Sequence, residues 1–341
     1  MTPTDQLQRP LRDLRISVTD RCNFRCRYCM PAEVFGPNHP FLPKAEILSF
    51  EEIERVARAL VPLGVSKLRL TGGEPLLRRN LDDLVGLLAS IEGIDDIALT
   101  TNGILLAHHA EALTLAGLKR VTVSLDALDR ELFATMNGVG AKVDRVLAGI
   151  ESARAFGLPV KVNAVVQRGV NESQILPLAR WARERGITMR YIEFMDVGET
   201  NAWQMEQVVP AKEILEILQS EFALESLPPT HPGETAKRWQ HADGSAEIGI
   251  IASVTQPFCR GCTRLRLSAE GKLFTCLFAT DGHDLRPTLR QQPDTAELQR
   301  EVAALWQGRR DRYSEERGEA VSEESQSTPG SPKAEMSYLG G

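Results

Sequence analysis

The chain has 341 residues, of which 42% are hydrophobic and 25% are charged, and its formal net charge is −6. This is ordinary globular composition, and a chain of this length buries enough surface to fold without disulfides. The composition argues against a disordered polypeptide and a disulfide scaffold. The acidic balance argues against a dedicated nucleic-acid binder, which needs a dominant basic surface.

No stretch reaches the roughly 18 apolar residues of a membrane helix. The first residues also lack the apolar segment of a signal peptide. We therefore expect a cytoplasmic protein with no membrane partner. Thiols of cytosolic proteins are more often metal ligands or catalysts than disulfides.

The first two-thirds of the chain alternates between apolar, β-branched runs and segments with helical periodicity, as repeated βα units do. Helices are predicted over residues 50–63, 81–91, 143–156 and 172–185. The six predicted strands begin at Leu14, Lys67, Ile97, Arg120, Pro159 and Ile187. Six units are too few for a closed eight-stranded barrel, so this pattern leaves an open barrel and a doubly wound sheet as alternatives.

In both architectures the ligand site lies at the carboxyl ends of the strands. Polar residues collect at these predicted ends, which places the candidate site there. They are Asp20, Gly72, Gly73, Glu74, Thr100, Thr101, Asn102, Asp126 and Glu193.

The pattern changes after residue 194, where a helix over 211–222, a Pro-rich connection and short strands predict a second, smaller module. The segment 313–333 is polar and rich in Ser, Glu and Pro, so we expect it to be flexible. We therefore predict a first domain over residues 1–200, a second over 201–312, and a flexible tail over 313–341.

All six cysteines fall into two groups of three. The first cysteine group is Cys22, Cys26 and Cys29, and the second cysteine group is Cys259, Cys262 and Cys276. Short spacings bring several thiolates within reach of one metal centre. Cysteines that were only buried at scattered positions would have no need of such spacings. A structural zinc site normally takes four ligands, and no fourth ligand stands at a suitable spacing. An iron–sulfur cluster held by three cysteines would leave one iron open for a non-protein ligand.

The segment CNFRCRYCMP has the spacing CxxxCxxC, with Tyr28 just before the last cysteine. TGGEP follows the second predicted strand. These motifs resemble the radical S-adenosylmethionine superfamily. The resemblance implies a [4Fe-4S] cluster whose open iron is chelated by S-adenosylmethionine, which is cleaved to a 5′-deoxyadenosyl radical. It further implies cofactor contacts at Tyr28, Gly73, Ser124 and Met195. The glycines would let the backbone approach the ligand closely.

Five segments extend the resemblance along nearly the whole chain, to the GTP 3′,8-cyclase family of molybdenum cofactor biosynthesis. They are LRISVTDRCNFRCRYCMP, KLRLTGGEPLLRR, LTTNG, PVKVNAVVQRGVNE and FCRGCTRLRLSAEGKLFTCLF, and the chain ends in MSYLGG as that family does. The resemblance implies the fold as well: an open, partial (β/α)6 TIM-like barrel with a smaller C-terminal α+β module. It implies that the second cysteine group holds a second [4Fe-4S] cluster, which binds the guanine base of GTP.

A triphosphate requires several charge-assisted donors, for which Arg is well suited. Cations alternate with apolar residues on the predicted strands, and in a sheet covered by helices one face looks into the barrel. The resemblance implies GTP contacts at Arg15, Arg69, Thr100, Lys161, Arg264 and Arg266. Arg190 is a weaker candidate, because a salt bridge to Glu193 or Asp196 would explain it equally well.

The resemblance implies conversion of GTP to (8S)-3′,8-cyclo-7,8-dihydroguanosine 5′-triphosphate. In this reaction the adenosyl radical removes the ribose 3′ hydrogen, the C3′ radical adds to C8, and the aminyl radical that results is reduced. Arg15, Arg264, Arg266 and the terminal Gly340 and Gly341 are the residues expected to act in catalysis. The glycine tail would enter the active-site pocket, so an Ala added after Gly341 should lower turnover while leaving both clusters intact.

Two other functions stay open from the residues alone. A peptide-modifying radical S-adenosylmethionine enzyme with an auxiliary cluster would share the barrel and CxxxCxxC. A non-catalytic iron–sulfur electron carrier would leave TGGEP and the cations unexplained. The family further implies a homodimer whose product passes to cyclic pyranopterin monophosphate synthase, whereas the sequence does not identify the reductant.

Overall fold

The computed structural model of the protein describes residues 2–231, 233–291, 295–320 and 333–340. Six parallel strands form the centre of its sheet, and each begins within one residue of its predicted start. The strands are β1 (Asp13–Ser17), β2 (Lys67–Thr71), β3 (Asp96–Thr101), β4 (Arg120–Ser124), β5 (Val160–Val166) and β6 (Thr188–Glu193).

Helices connect these strands and cover the outer face of the sheet. They are α1 (Phe50–Leu60), α2 (Leu81–Ala89), α3 (Leu106–Leu115), α4 (Arg130–Met136), α5 (Val143–Ala155) and α6 (Ile175–Glu184). A capping box starts α1, since the Ser49 side chain accepts from the Glu52 N–H and the Glu52 carboxylate accepts from the Ser49 N–H. Such a cap stabilises a helix by about 1 kcal/mol. The buried face of α1 carries Ile53, Val56 and Leu60.

The order of the strands decides between the two architectures. Strands β1 to β6 pair in chain order and all in parallel. A doubly wound sheet reverses its order at a switch point, whereas this sheet winds in one direction as a barrel does. The described strands form a single sheet with two free ends, so the barrel is open.

The later strands extend this same sheet at both edges. The elements are α7 (Ala211–Gln219), β7 (Leu224–Leu227), β8 (Lys237–His241), β9 (Glu247–Ile251), β10 (Arg264–Leu267), β11 (Lys272–Phe274) and β12 (His283–Asp284). Strand β10 pairs in parallel with β1, and β9 pairs in parallel with β6. The strands of the predicted second module are therefore continuous with the barrel, while the domain boundaries at 200 and 312 stay a prediction.

The C-terminal part includes helices within the segment that the sequence predicted to be flexible. It contains α8 (Arg286–Gln291), α9 (Thr295–Gln307), α10 (Tyr313–Ala320) and α11 (Met336–Leu339). Helix α10 lies in the segment expected to be flexible, and the Tyr313 ring stacks on Phe278 at 4.5 Å. Acidic residues in the first turn of α10 also favour the helix, because they face the positive end of its dipole. The rest of that segment, 321–332, lies outside the described residues.

A membrane helix was not expected, and the described ranges contain no helix that is long and apolar enough to cross a membrane.

Candidate active site

One cavity inside the barrel is lined by both cysteine groups, and all six cysteines are free thiols. The first cysteine group follows the carboxyl end of β1, and the second lies where β10 begins and β11 ends. Because β10 pairs with β1 in parallel, with Arg266 opposite Arg15, the groups lie toward opposite ends of these neighbouring strands. The structure therefore brings together, in one cavity, two groups that are far apart in the sequence.

The first cysteine group lies in a loop that is tied to the barrel. The Phe24 N–H donates to the Cys22 sulfur at 3.4 Å. The hydroxyl of Tyr28 donates to the Asp126 carboxylate at 2.7 Å, which joins the loop to the segment after β4. Asp126 in turn accepts from the Val165 N–H at 2.9 Å. Tyr28 thus lines the cavity in a fixed orientation, where the sequence places a cofactor contact.

The electrostatics of this loop disfavour free thiolates. Burial raises the pKa of Cys22 to about 11, and the carboxylate of Glu74 adds to the shift. Burial also raises the pKa of Cys26, with Asp126 contributing next. A bound metal centre would displace these protons, since coordination deprotonates thiols. The loop therefore suits coordination of a metal centre better than a role as a free nucleophile.

In the second cysteine group, Cys262 has the opposite environment, whereas burial raises the pKa of Cys276. Burial raises the pKa of Cys262, but the charges of Arg264 and Arg309 outweigh it and bring the pKa down to about 5. Arg264 Nε donates to the Cys262 sulfur at 3.4 Å, and the Phe278 N–H donates to the Cys276 sulfur at 3.5 Å. Charge-assisted donors to sulfur fit a thiolate-ligated cluster.

Neither cysteine group has the geometry of a site for a single ion. Among the described residues, no three Cys, His, Asp or Glu side chains come together as ligands of one metal ion. Structural zinc would require four such ligands at one point. A four-iron cluster distributes its thiolates over different irons, and the chemistry of these sulfurs fits that kind of centre.

The two glycines of TGGEP also permit a close approach between two backbone segments. A Cβ on Gly73 would lie 2.3 Å from the carbonyl oxygen of Arg21, and one on Gly72 would lie 2.4 Å from that of Thr19. The glycines thus allow β2 to end directly against the loop that leads to the first cysteine group. Gly73 also lines the cavity, as a cofactor contact requires.

Glu74 organises this side of the site; the sequence placed it among the polar residues at the strand ends but assigned it no individual role. Its buried carboxylate accepts hydrogen bonds from the Thr101 hydroxyl at 2.7 Å and from the Asn102 and Leu76 N–H groups at 2.8 and 3.0 Å. It therefore joins the loops that follow β2 and β3. Burial raises the pKa of Glu74 to about 7, and these donors oppose the shift.

A group of cations crosses the interior between the two cysteine groups. The strand-borne members that line the cavity are Arg15, Arg69, Arg190, Arg264 and Arg266, and Arg9 and Arg309 line it beside the second cysteine group. Lys161 does not line this cavity but an adjoining one. The two cavities share Arg15, Arg69, Arg190 and Arg264. Because alternate residues of a strand face opposite sides, Leu14 and Ile16 are buried in the hydrophobic core while Arg15 lines the cavity.

These cations lie close to one another, and nearby carboxylates do not balance their positive charge. Burial and the charges of Arg266 and Arg264 lower the pKa of Arg15. Burial and neighbouring arginines lower the pKa of Arg69 to about 9, and burial and Arg264 lower that of Arg266 to about 10. The buried Arg266 Nε has no hydrogen-bond acceptor in the described part of the chain. Such a set requires an anion to be stable, and a polyanion would contact several members at once.

The salt-bridge explanation for Arg190 is wrong. Its guanidinium donates to the Thr122 hydroxyl at 3.2 Å, and its buried Nε has no acceptor among the described residues. Glu193 instead accepts from the backbone N–H groups of Ala211 and Val254, each at 2.7 Å. Arg190 therefore belongs with the cavity cations.

The remaining predicted residues are also located. Ser124, Met195 and Thr100 line the cavity. From the C-terminal segment, Met336 and Ser337 line it too, and Gly340 packs against the end of β2. Gly341 lies outside the described residues.

Comparison with known proteins gives two family matches. The Radical SAM superfamily matches residues 16–182, and Molybdenum Cofactor Synthesis C matches residues 187–315. A GTP 3′,8-cyclase of Acidothermus cellulolyticus is 53% identical over 99% of this chain and 98% of its own. One of Staphylococcus carnosus is 50% identical over 99% of this chain and 98% of its own.

The chain belongs to the GTP 3′,8-cyclase family. Among solved structures, Streptococcus suis SuiB bound to S-adenosylmethionine has a TM-score of 0.60 at 16% identity, covering 85% of this chain and 68% of that one. This likeness concerns the fold alone and confirms the predicted barrel of the radical S-adenosylmethionine type. The family matches also confirm the resemblance to an enzyme of molybdenum cofactor synthesis.

Proposed function

We propose that this protein is a radical S-adenosylmethionine lyase that converts GTP to (8S)-3′,8-cyclo-7,8-dihydroguanosine 5′-triphosphate. Family membership supports the reaction class, and one structural observation carries the substrate class. Buried, poorly compensated arginines line a cavity that has a cysteine group toward each end. A nucleoside triphosphate supplies the anionic charge that these arginines lack.

The first cysteine group would hold the [4Fe-4S] cluster that S-adenosylmethionine chelates. When bound, this pair supplies one-electron chemistry that can remove a hydrogen atom from a carbon. The protein's part is to orient the sulfonium cofactor. Tyr28, Gly73, Ser124 and Met195 line the cavity where they would contact it. The Tyr28–Asp126 hydrogen bond fixes one of these contacts before the cofactor arrives.

The second cysteine group would hold another [4Fe-4S] cluster, on which the guanine base would be placed. Arg264 and Arg266 belong to β10, which begins directly after Cys262 and the single residue Thr263. A nucleotide bound there would meet Arg15 and Arg69 on the neighbouring strands. Lys161 in the adjoining cavity would bind phosphate oxygens, and Thr100 orients Arg69 by a 3.0 Å hydrogen bond.

Positioning is the main catalytic contribution of these residues. Holding the ribose carbon and C8 of guanine in one geometry removes translational and rotational freedom before reaction. Around the triphosphate, the fixed charges and hydrogen-bond donors of the buried cations would replace bulk water. Met336 and Ser337 of the C-terminal segment line the cavity, and from the family we infer that the terminal Gly340 and Gly341 act in catalysis.

The peptide-modifying alternative shares the fold but not the family. SuiB, whose structure with the precursor peptide SuiA has a TM-score of 0.60, is 16% identical to this chain. Identities near 50% over nearly full length connect this chain instead with GTP 3′,8-cyclases. From the family we also infer a cytoplasmic homodimer whose product passes to cyclic pyranopterin monophosphate synthase.

The test is an anaerobic incubation of the iron-reconstituted protein with S-adenosylmethionine, GTP and dithionite, followed by mass spectrometry. We expect 5′-deoxyadenosine that depends on GTP, together with a product that is isomeric with GTP and separates from it by chromatography, because the hydrogen lost from C3′ is balanced by the one gained when the ring radical is reduced. Cofactor cleavage with unchanged GTP would contradict the substrate. Absence of both products, with iron loading verified, would contradict the radical chemistry.

A further inference from the structure

Two buried arginines from opposite ends of the chain meet behind the second cysteine group. Arg9 is 2% exposed and Arg309 is 4% exposed, and both line the active-site cavity. Neither belongs to the cation set that the GTP-binding proposal uses. Two guanidinium groups with so little exposure are costly to bury unless their charge is used.

Both arginines hold the backbone of the cysteine loop. Arg9 Nη1 donates to the carbonyl oxygen of Cys259 at 2.8 Å, and Arg309 Nη1 donates to that of Cys262 at 2.8 Å. The guanidinium groups of Arg9 and Arg309 therefore hold the carbonyl groups of Cys259 and Cys262, which flank the turn of this loop.

Trp306 locks the pair in place. Its indole N–H donates to the carbonyl oxygen of Arg9 at 3.0 Å, and the guanidinium of Arg309 lies 4.6 Å from its ring centroid. Trp306 itself is fully buried. This packing restricts both arginines to one orientation toward the cysteine loop.

The local charge balance is positive. Asp5 pairs with Arg9 at 2.5 Å and lies 3.6 Å from Arg309, and Asp311 lies 3.4 Å from Arg309 Nε. Against these carboxylates stand Arg9 and Arg309, with Arg264 and Arg266 on β10 nearby. In addition, Arg9 Nη2 is buried without an acceptor among the described residues. The first cysteine group lacks this excess, since the carboxylates of Asp126 and Glu74 lie near its sulfurs together with the guanidinium of Arg25.

We propose that Arg9 and Arg309 are positioning residues that hold the Cys259–Cys262 loop and raise the reduction potential of the cluster bound there. This inference rests on the proposed second cluster. Reduction of an iron–sulfur cluster adds one negative charge, and nearby cations stabilise that charge. Net charge and hydrogen bonds around the ligands are established determinants of cluster potential. The effect should be confined to the second cluster.

The test is a potentiometric titration of the reconstituted full-length protein, followed by electron paramagnetic resonance. Signals are assigned by comparison with a variant in which the first cysteine group is replaced by Ala. Arg309→Gln keeps a donor for the Cys262 carbonyl but removes the charge, so we expect a lower midpoint potential for the second cluster. Arg309→Lys keeps the charge and should shift the midpoint less. Arg9→Gln should lower the midpoint as well.

Asp311→Asn supplies the converse test, because it removes a neighbouring carboxylate and leaves both arginines in place. We expect it to raise the midpoint of the second cluster, which would support the proposal even if Arg309→Gln lost its iron. The control Arg180→Gln, on α6, removes a charge from an exposed ion pair with Glu221 and should shift neither midpoint.

Three results would overturn the proposal. One is an unchanged or lowered midpoint in Asp311→Asn, another is an unchanged midpoint in an iron-loaded Arg309→Gln, and the third is an equal shift of both clusters. A wild-type protein that binds only about four irons per chain would instead contradict the second cluster itself. The two failures are therefore distinguishable.

Discussion

Arg69 donates a 3.0 Å hydrogen bond to the hydroxyl of Thr100 on the adjacent strand β3. A hydroxyl orients a guanidinium group but does not neutralise it, so the charge of Arg69 remains available to a ligand. Arg69 thus differs from Arg120, whose guanidinium forms an ion pair with the carboxylate of Asp96, the first residue of β3. Arg120 therefore has a carboxylate partner on the neighbouring strand, whereas Arg69 has the hydrogen-bonding environment that the proposed GTP contact requires.

The first prediction concerns GTP affinity. Arg69→Gln should weaken equilibrium binding of GTP by roughly 10- to 100-fold, because a hydrogen bond to a charged group contributes about 1.5–3 kcal/mol. Isothermal titration calorimetry on anaerobic, reconstituted protein measures this directly. Arg180→Gln is the matched control, because it removes the same charge from an exposed pair and should leave the affinity unchanged. Equal affinities for Arg69→Gln and wild type would remove Arg69 from the site.

The second prediction concerns the pH dependence of stability. Burial raises the folded-state pKa of Glu74 to about 7 from 4.5, so its stabilising contribution is complete below pH 4.5 and is lost as pH rises toward 7. The loss amounts to about 3 kcal/mol at most. Glu74→Gln cannot ionise, and its melting temperature should therefore fall less than that of wild type between pH 5 and pH 7.5.

Thermal unfolding of the iron-free protein, followed by circular dichroism, checks this difference. Glu216→Gln, at a largely exposed position on α7, is the control and should follow the wild-type profile. Parallel profiles for Glu74→Gln and wild type would show that Glu74 is ionised in the folded state throughout this range.

The third prediction concerns the C-terminal segment. Gly340 has φ of +72°, and a Cβ there would lie 2.0 Å from Cγ2 of Thr71 at the end of β2. Gly340→Ala should therefore displace α11 from the cavity and lower turnover at least several-fold, with the iron content unchanged.

Gly157→Ala is a matched control for this effect. Gly157 also has a positive φ, +76°, but no atom lies within 4 Å of its added Cβ. Both substitutions carry the backbone cost of a left-handed residue, of order 1 kcal/mol, whereas only Gly340→Ala adds the clash. If both variants kept wild-type turnover in the GTP assay, the tail would have no part in catalysis.

The fourth prediction concerns the number of clusters. Replacement of the second cysteine group by Ala should lower the iron content from about eight to about four per chain, because each group would hold one four-iron cluster. Replacement of the first group should have the same effect on iron content, but it alone should abolish reductive cleavage of S-adenosylmethionine. Iron analysis and 5′-deoxyadenosine formation measure these two outcomes. Cleavage that survived loss of the first group would reverse the assignment of the clusters.

Local sequence determined most of the barrel. Strands such as β2 and β10 are short runs in which cations alternate with leucines, and this periodicity is visible without tertiary contacts. The cysteine spacings and TGGEP are likewise local, so the cofactor loop and its neighbours in the site could be predicted. The choice between a barrel and a doubly wound sheet depended on the order of the strands in the sheet. The residue pattern of a single strand contains no information about that order.

Long-range contacts decided the rest. Strands β9 and β10 were predicted as strands, but their positions on the two edges of the barrel depend on pairing with β6 and β1. Helix α10 was predicted as a flexible segment because its composition is polar, whereas the structure stacks its Tyr313 on Phe278.

The sequence by itself determined the chemistry: two groups of thiols, a glycine-rich loop, and cations on strands. Only the tertiary structure decided which groups surround them. Glu74 acquires its role by accepting from Thr101 and Asn102, and Arg9 contacts the Cys259 carbonyl across 250 residues of chain. Such contacts leave no periodic or compositional signal, because burial and hydrogen bonding between distant segments depend on the folded geometry rather than on neighbouring residues.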